Sequence, residues 1–176
     1  MWVVRAQMKV RAARVADADA VDQIRVAAWR AAYRKFMPSE FLASLDPGQN
    51  LEGLRAAISA TEPPFQTQVA EDRGTVVAYV MFGAPRYKAR PGTLELWALN
   101  IKPDCWRQGI GRVLVQEVLA AARSAALTRV ELWCISGNVP AVSLYESAGF
   151  VLTGESRTTS GLTGYPLHEV AYEITP

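Results

Sequence analysis

From Thr93 to Ile135 the chain reads "TLELWALNI", a turn, a stretch of helical period from residue 109 to 125, and "TRVELWCI". This segment constrains the fold more than any other. A strand that returns to a neighbouring strand through a helix must cross over, so strands 93 to 101 and 128 to 135 should lie parallel, joined by a right-handed connection. Strands elsewhere in the chain are joined by turns or follow one another at the end of the sequence, and they should add to this pair in antiparallel fashion.

Upstream, "KVRAARV" (9 to 15) reads as a short strand. Asp17 is then placed to cap a helix that carries Val21, Ile24, Ala28 and Ala31 on one face and runs to about Phe36. Pro38 interrupts it, and short helices are expected at about 38 to 45 and 48 to 60. "FQTQVAED" and "TVVAYVMFGA" form a hairpin around Asp72-Arg73-Gly74, with glycine where a positive φ is wanted. Downstream come a helix at 138 to 147 and strands at about 149 to 158 and 165 to 174. The expected class is α/β: a mixed, mostly antiparallel sheet of six or seven strands around a central parallel pair, flanked by about four helices. At 176 residues the chain supports one domain, 1 to 176, with residues 1 to 8 as a dispensable extension ahead of the first strand.

The net charge of +2 does not point to nucleic acid or a membrane surface as partner. No apolar run reaches the length of a membrane span, and "MWVVRAQMKV" lacks the pattern of a secretory signal, so a cytoplasmic location is expected. Cys105 and Cys134 are too few and too far apart for a metal knuckle, and His168 is the single histidine. No metal is expected, and the two cysteines read as free thiols.

Gly109 and Gly111 stand where the central helix should be most firmly nucleated. Glycine inside a helix costs about 1 kcal/mol relative to alanine, so the pair needs a reason. One reason is a phosphate cradle: without Cβ, the N–H groups of the helix start can converge on an anion that the helix dipole also favours. The other is close packing of the helix on the sheet. A Walker A loop is excluded because Arg112 and Val113 follow Gly111. A dinucleotide fingerprint fails at Leu114, and Glu131 lies too early in its strand to hold a ribose.

"PDCWRQGIGRVL" resembles the coenzyme A motif of the GNAT superfamily of N-acetyltransferases, [Q/R]-x-x-G-x-[G/A], and "NVPAVSLYESAGF" is similar to its second signature, N-x-x-A-x-x-L-Y-x-x-x-G-F. The spacing and the element order agree from about residue 9 onward. Trp106 departs from the pattern, standing where the motif usually carries Gln or Arg.

The resemblance implies acetyl-CoA as donor, with its pyrophosphate on the backbone of Arg107, Gln108, Gly109, Ile110, Gly111 and Arg112. It also implies that the parallel strands splay, that the pantetheine arm lies beside Leu99, Asn100 and Ile101, and that Asn138 contacts CoA. Tyr145 matches the family's general acid, the proton donor to the departing sulfur. Glu95, a carboxylate on the central strand, is the candidate base. The base has real work: an alkylamine is neutral less than about 0.1% of the time at pH 7, a penalty of roughly 4 kcal/mol.

Trp29, Tyr33 and Phe36 are candidates for the wall of the acceptor site. The basic loop "APRYKARPG" reads as solvated; were it to line the acceptor mouth, it would repel a polycation. The expected activity is acetyl transfer to the primary amine of a small molecule by direct attack on the thioester. A protein N-terminus or lysine as acceptor, and an acyl-CoA-binding module without turnover, are the alternatives. Members of the superfamily often form homodimers, and nothing in the residues decides for or against one.

Overall fold

The computed structural model describes residues 8–60, 66–161 and 163–176. The proposed extension ahead of Met8 and the first residue of the expected hairpin, Phe65, lie outside them. The strands are β1 (Met8–Ala12), β2 (Gln66–Asp72), β3 (Thr75–Gly83), β4 (Thr93–Ile101), β5 (Arg129–Ile135), β6 (Val151–Thr159) and β7 (Leu167–Ile174). The helices are α1 (Ala18–Ala32), α2 (Ser39–Ser44), α3 (Leu51–Ser59), α4 (Ile110–Ser124) and α5 (Val139–Ser147). All seven strands form one sheet in the order β1-β2-β3-β4-β5-β7-β6, and β4 with β5 is its parallel pair.

Alternation along the strands divides the sheet into two faces. Leu94 and Leu96 of β4 and Val130 and Leu132 of β5 face α4, where they meet Leu114, Val115 and Val118 in the main core. The opposite face packs Val69, Val76 and Tyr79 against Val21 and Ile24 of α1. Arg73 and Gly74 at φ 51° and 81° make the β2–β3 turn, in which both central residues take the left-handed region that the sheet's twist favours.

Two local expectations are corrected. Asp17 does not cap α1: its carboxylate turns back to accept the Arg14 N–H at 2.7 Å and two N–H groups of Arg11, at 2.6 and 3.0 Å, so it closes the turn before the helix. The helix also stops at Ala32 rather than Phe36, because the Phe36 and Met37 N–H groups both turn back to the Tyr33 carbonyl and fold Met37 into a small core with Val26 and Leu42.

Candidate active site

The β4–β5 ladder begins at Thr93↔Arg129 and ends at Leu96↔Leu132, although β4 runs on to Ile101 and β5 to Ile135. Beyond Leu96 the two strands part. The cause is visible on the other edge of β4, where Met81 pairs with Ala98 and Phe82 with Leu96, leaving Trp97 as the extra residue of a β-bulge. A bulge bends its strand, and here it turns the end of β4 away from β5. The unpaired stretches that follow are Trp97–Ile101 of β4 and Trp133–Ile135 of β5, the first carrying Leu99 and Ile101 and the second Cys134.

The helix α4 starts at the end of β4. Arg107 and Gly109 hold φ of 60° and 82°, and turns of this kind draw successive N–H groups toward one point. Arginine in the left-handed region is uncommon, and no side chain caps the helix start. A Cβ on Gly109 would meet nothing within 4 Å. The space above the uncapped N–H groups is open, and Arg107 and Arg112 are exposed beside it.

Gly111 has a different reason. A Cβ there would stand 2.9 Å from Leu144 Cδ2 and 3.3 Å from Ile101 Cδ1, so this glycine lets α4 sit against β4 and α5. The two explanations of the glycine pair divide between its members. Ile110 sends its side chain into the core, leaving only its backbone for a ligand. Gln108 uses its amide on the Asp104 carbonyl at 3.0 Å, and Trp106 ties the turn to β4 by donating its indole N–H to the Ile101 carbonyl at 2.8 Å.

Asn100 turns its side chain away from α4 and donates to the Tyr79 hydroxyl at 2.9 Å. Its backbone still lies along the gap. Asn138 stands at the start of α5 but makes no side-chain cap bond there, and it is 8% exposed. Tyr145, on α5, packs its ring edge-on to Phe150 at 5.9 Å and is 8% exposed. Its hydroxyl makes no hydrogen bond within the described residues. Burial, then the proximity of Cys134 and Tyr33, pushes its phenol upward, so it is protonated at neutral pH.

On the opposite face, Trp29 and Tyr33 stack edge to face at 5.5 Å, and with Phe36 they line a cluster that reaches Ile135 at the end of β5. Burial raises the Tyr33 phenol to about 12.

Glu95 is 2% exposed and wholly engaged. Its Oε2 accepts the Arg86 backbone N–H at 2.6 Å, and its Oε1 accepts Arg86 Nε at 3.1 Å and Nη2 at 2.7 Å. The basic loop is therefore fastened rather than simply solvated. Arg90 bonds Glu173 at 2.6 Å, and Tyr87 covers the Arg157 guanidinium at 3.9 Å while Trp133 lies 4.0 Å from it. With its arginines matched to carboxylates, the loop loses most of its power to repel a cation.

Arg157 and the tryptophans 97 and 133 carry no role in the sequence reading, which takes Glu131 only as a poor ribose ligand and Arg86 only as part of a solvated loop. A signal was there to find: Glu-Leu-Trp occurs in both parallel strands, at 95 to 97 and 131 to 133. Glu95 pairs with Glu131 in register, so the two carboxylates are adjacent and the two tryptophans flank the point of parting. Burial, then the charges of Glu155 and Glu95, raises the Glu131 carboxyl above its ordinary value; the Trp133 indole offsets part of this and Glu173 adds to it.

A mixed seven-stranded sheet whose parallel pair parts beside an uncapped, glycine-led helix defines the class as α/β. The chain belongs to the Acetyltransferase (GNAT) family, whose profile matches residues 21–150. It is 25% identical over 167 residues to the probable N-acetyltransferase Rv2775 of Mycobacterium tuberculosis, covering 95% of this chain and 93% of that one. Its fold is similar to that of the PaiA N-acetyltransferase of Thermoplasma acidophilum in complex with coenzyme A, at TM-score 0.76 and 17% identity, over 96% of this chain and 99% of that one. A GCN5-related N-acetyltransferase from Kribbella flavida matches at TM-score 0.74 and 20% identity, over 97% and 98%. The protein is an N-acetyltransferase of this family.

Among the described residues, no three His, Cys, Asp or Glu side chains group as a metal site, and no helix is long and apolar enough to cross a membrane.

Proposed function

We propose that this protein moves the acetyl group of acetyl-CoA to the primary amine of a small molecule by direct attack on the thioester. The observation that carries the reading is the end of the β4–β5 ladder at Leu96↔Leu132, opening a gap beside the uncapped start of α4. The N–H groups of Arg107 to Arg112 take the pyrophosphate, and backbone along Leu99, Asn100 and Ile101 takes the pantetheine arm. Strand N–H groups freed by the parting face the thioester, where they would stabilise charge developing on its carbonyl oxygen. Asn138, its side chain not spent on capping, is a further contact. Tyr145 supplies the proton to the departing sulfur, consistent with a protonated phenol whose hydroxyl has no hydrogen-bond partner among the described residues.

Trp29, Tyr33 and Phe36 form the acceptor's apolar wall. Glu95 serves best as the clasp of the Arg86 loop, because a proton or a water reaching its oxygens must first displace the guanidinium. Positioning of amine and thioester supplies about 7–11 kcal/mol of the acceleration, so no covalent enzyme intermediate is required.

The test is incubation with acetyl-CoA and a panel of amines, amino acids, antibiotics and short peptides, with products read by mass spectrometry. An acetylated small amine supports the proposal. Acetylated peptides alone would move the acceptor to proteins, and tight acetyl-CoA binding without any product would make the domain a binding module.

A further inference from the structure

Arg157 of β6 joins parts of the molecule that the sheet holds apart. Its Nε donates to Glu169 of β7 at 2.7 Å, directly across the β6–β7 ladder, and Glu169 stands opposite Ile135 of β5. The guanidinium continues over β5, where it lies 4.0 Å from the Trp133 ring, and Tyr87 of the β3–β4 loop closes on it at 3.9 Å. Trp133 is the first residue of β5 beyond the Leu96↔Leu132 pair, and by alternation with Leu132 it faces away from α4, as does Ile135. Ile135 belongs to the cluster of Trp29, Tyr33 and Phe36.

Attachments of two kinds hold the loop, residues 84–92. Near its start Glu95 accepts three hydrogen bonds from Arg86, and near its end Arg90 bonds Glu173, which Arg129 also holds at 3.0 Å. These ends are fastened by charge-assisted hydrogen bonds. The middle is fastened by a stack alone: Tyr87 is 52% exposed, and its hydroxyl has no hydrogen-bond partner among the described residues. Arg157 Nη1, meanwhile, is buried with no hydrogen-bond acceptor among the described residues. A buried charged donor without an acceptor is costly, and lifting Tyr87 would let water reach it.

We infer that Arg157 is a positioning residue for the acceptor: with Tyr87 it fastens the β3–β4 loop as a strap over the side of the sheet that carries Trp29, Tyr33 and Phe36, and the strap lifts at Tyr87 to admit the amine. This rests on the acetyl-transfer reading and adds to it the element that encloses the acceptor. Arg157 touches no reacting atom and acts through Tyr87 and Trp133. The donor's cradle lies at the start of α4, on the other face, so the strap bears on the acceptor and not on acetyl-CoA.

Trypsin reads the strap without reference to activity, because Lys88 stands exposed beside Tyr87. Cleavage of a seated loop follows the population of its open form. Tyr87→Ala removes the ring and leaves the Arg157–Glu169 pair in place, so it keeps the test decisive should Arg157→Gln fold poorly. Both variants are expected to speed cleavage after Lys88 about tenfold. Both should also raise the KM for the panel amine that the wild type acetylates fastest about tenfold, while kcat and the KM for acetyl-CoA change less than about twofold. Tyr87→Phe keeps the ring and Arg157→Lys the cation, and each should regain most of both losses. Unchanged cleavage in Tyr87→Ala overturns the strap. Faster cleavage with an unchanged KM for the amine, or with an equal rise in the KM for acetyl-CoA, overturns its bearing on the acceptor. A wild type that acetylates no amine of the panel overturns the transferase reading and the acceptor role with it, while the cleavage rates still decide whether the loop is strapped.

Discussion

Leu144 of α5 reaches to within 2.9 Å of the place a Cβ would occupy on Gly111 of α4. Two residues earlier, the same construction on Gly109 meets open space, at a φ of 82°. One glycine thus serves helix packing and the other serves the approach of a ligand. Gly111→Ala should destabilise the fold by about 1–3 kcal/mol through overpacking, softened by alanine's better helix propensity, while the folded fraction still binds CoA. Gly109→Ala should cost about 1 kcal/mol for its left-handed backbone and weaken CoA binding as well. Urea denaturation beside calorimetric titration with CoA separates the two. Equal effects of both variants on binding would contradict the division.

Tyr145→Phe removes a hydroxyl that no described residue bonds and leaves the ring against Phe150. Stability should therefore change by less than about 0.5 kcal/mol, with the KM for acetyl-CoA unchanged and kcat down tenfold or more. An unaltered kcat would take Tyr145 out of the mechanism.

Asp22 is 2% exposed and accepts both the Gly48 N–H at 2.7 Å and Arg25 Nε at 2.8 Å, joining α1 to the segment ahead of α3. Asp22→Ala strands a backbone donor and should cost about 2 kcal/mol. A shift in the urea midpoint at constant m checks it; a shift of a few tenths of a kcal/mol would contradict the tie.

Hydrogen bonds from Arg11, outweighing the effect of burial, hold the Asp17 carboxyl below its usual range. A carboxyl depressed in the folded state adds stability above its unfolded value near about 3.9, and that contribution is lost as pH falls through the folded value. Asp17→Asn should therefore flatten the acid side of the stability profile, below the unfolded carboxyl value of about 3.9, while lowering stability at pH 7. Parallel profiles for the two proteins would show that the pair is idle.

Both cysteines are buried, and burial followed by the charge of Glu169 pushes the Cys134 thiol up to about 11. At pH 8 an aromatic disulfide reagent should react with neither on the time scale of minutes in the native state, and with both in denaturant. Fast native reaction of Cys134 would mean that the gap beside it opens to solvent.

Much of this was legible in the sequence because it is local. The hairpin glycine, the strand–helix–strand crossover and the two motifs each sit within one stretch of chain, and β4 was read to its exact ends as Thr93–Ile101. What escaped depends on register and distance. Glu95 and Glu131 become neighbours only once β4 and β5 are aligned, and Arg86 reaches Glu95 only because the loop folds back over the sheet. The bulge at Trp97 leaves no mark in hydrophobic alternation, so the cause of the parting was hidden even where the parting itself was expected. The end of α1 was misjudged because the residues after Ala32 keep an apolar pattern while turning into a separate small core.

The most direct measurement follows the backbone amide signals of isotopically labelled protein as CoA is added. The account predicts the largest shifts at Gly109, Ile110, Gly111 and Arg112, with a second set at Leu99, Asn100 and Ile101 across the gap from Cys134. Shifts centred elsewhere, on α3 or the β1 edge of the sheet, or no saturable shift at all, would contradict it.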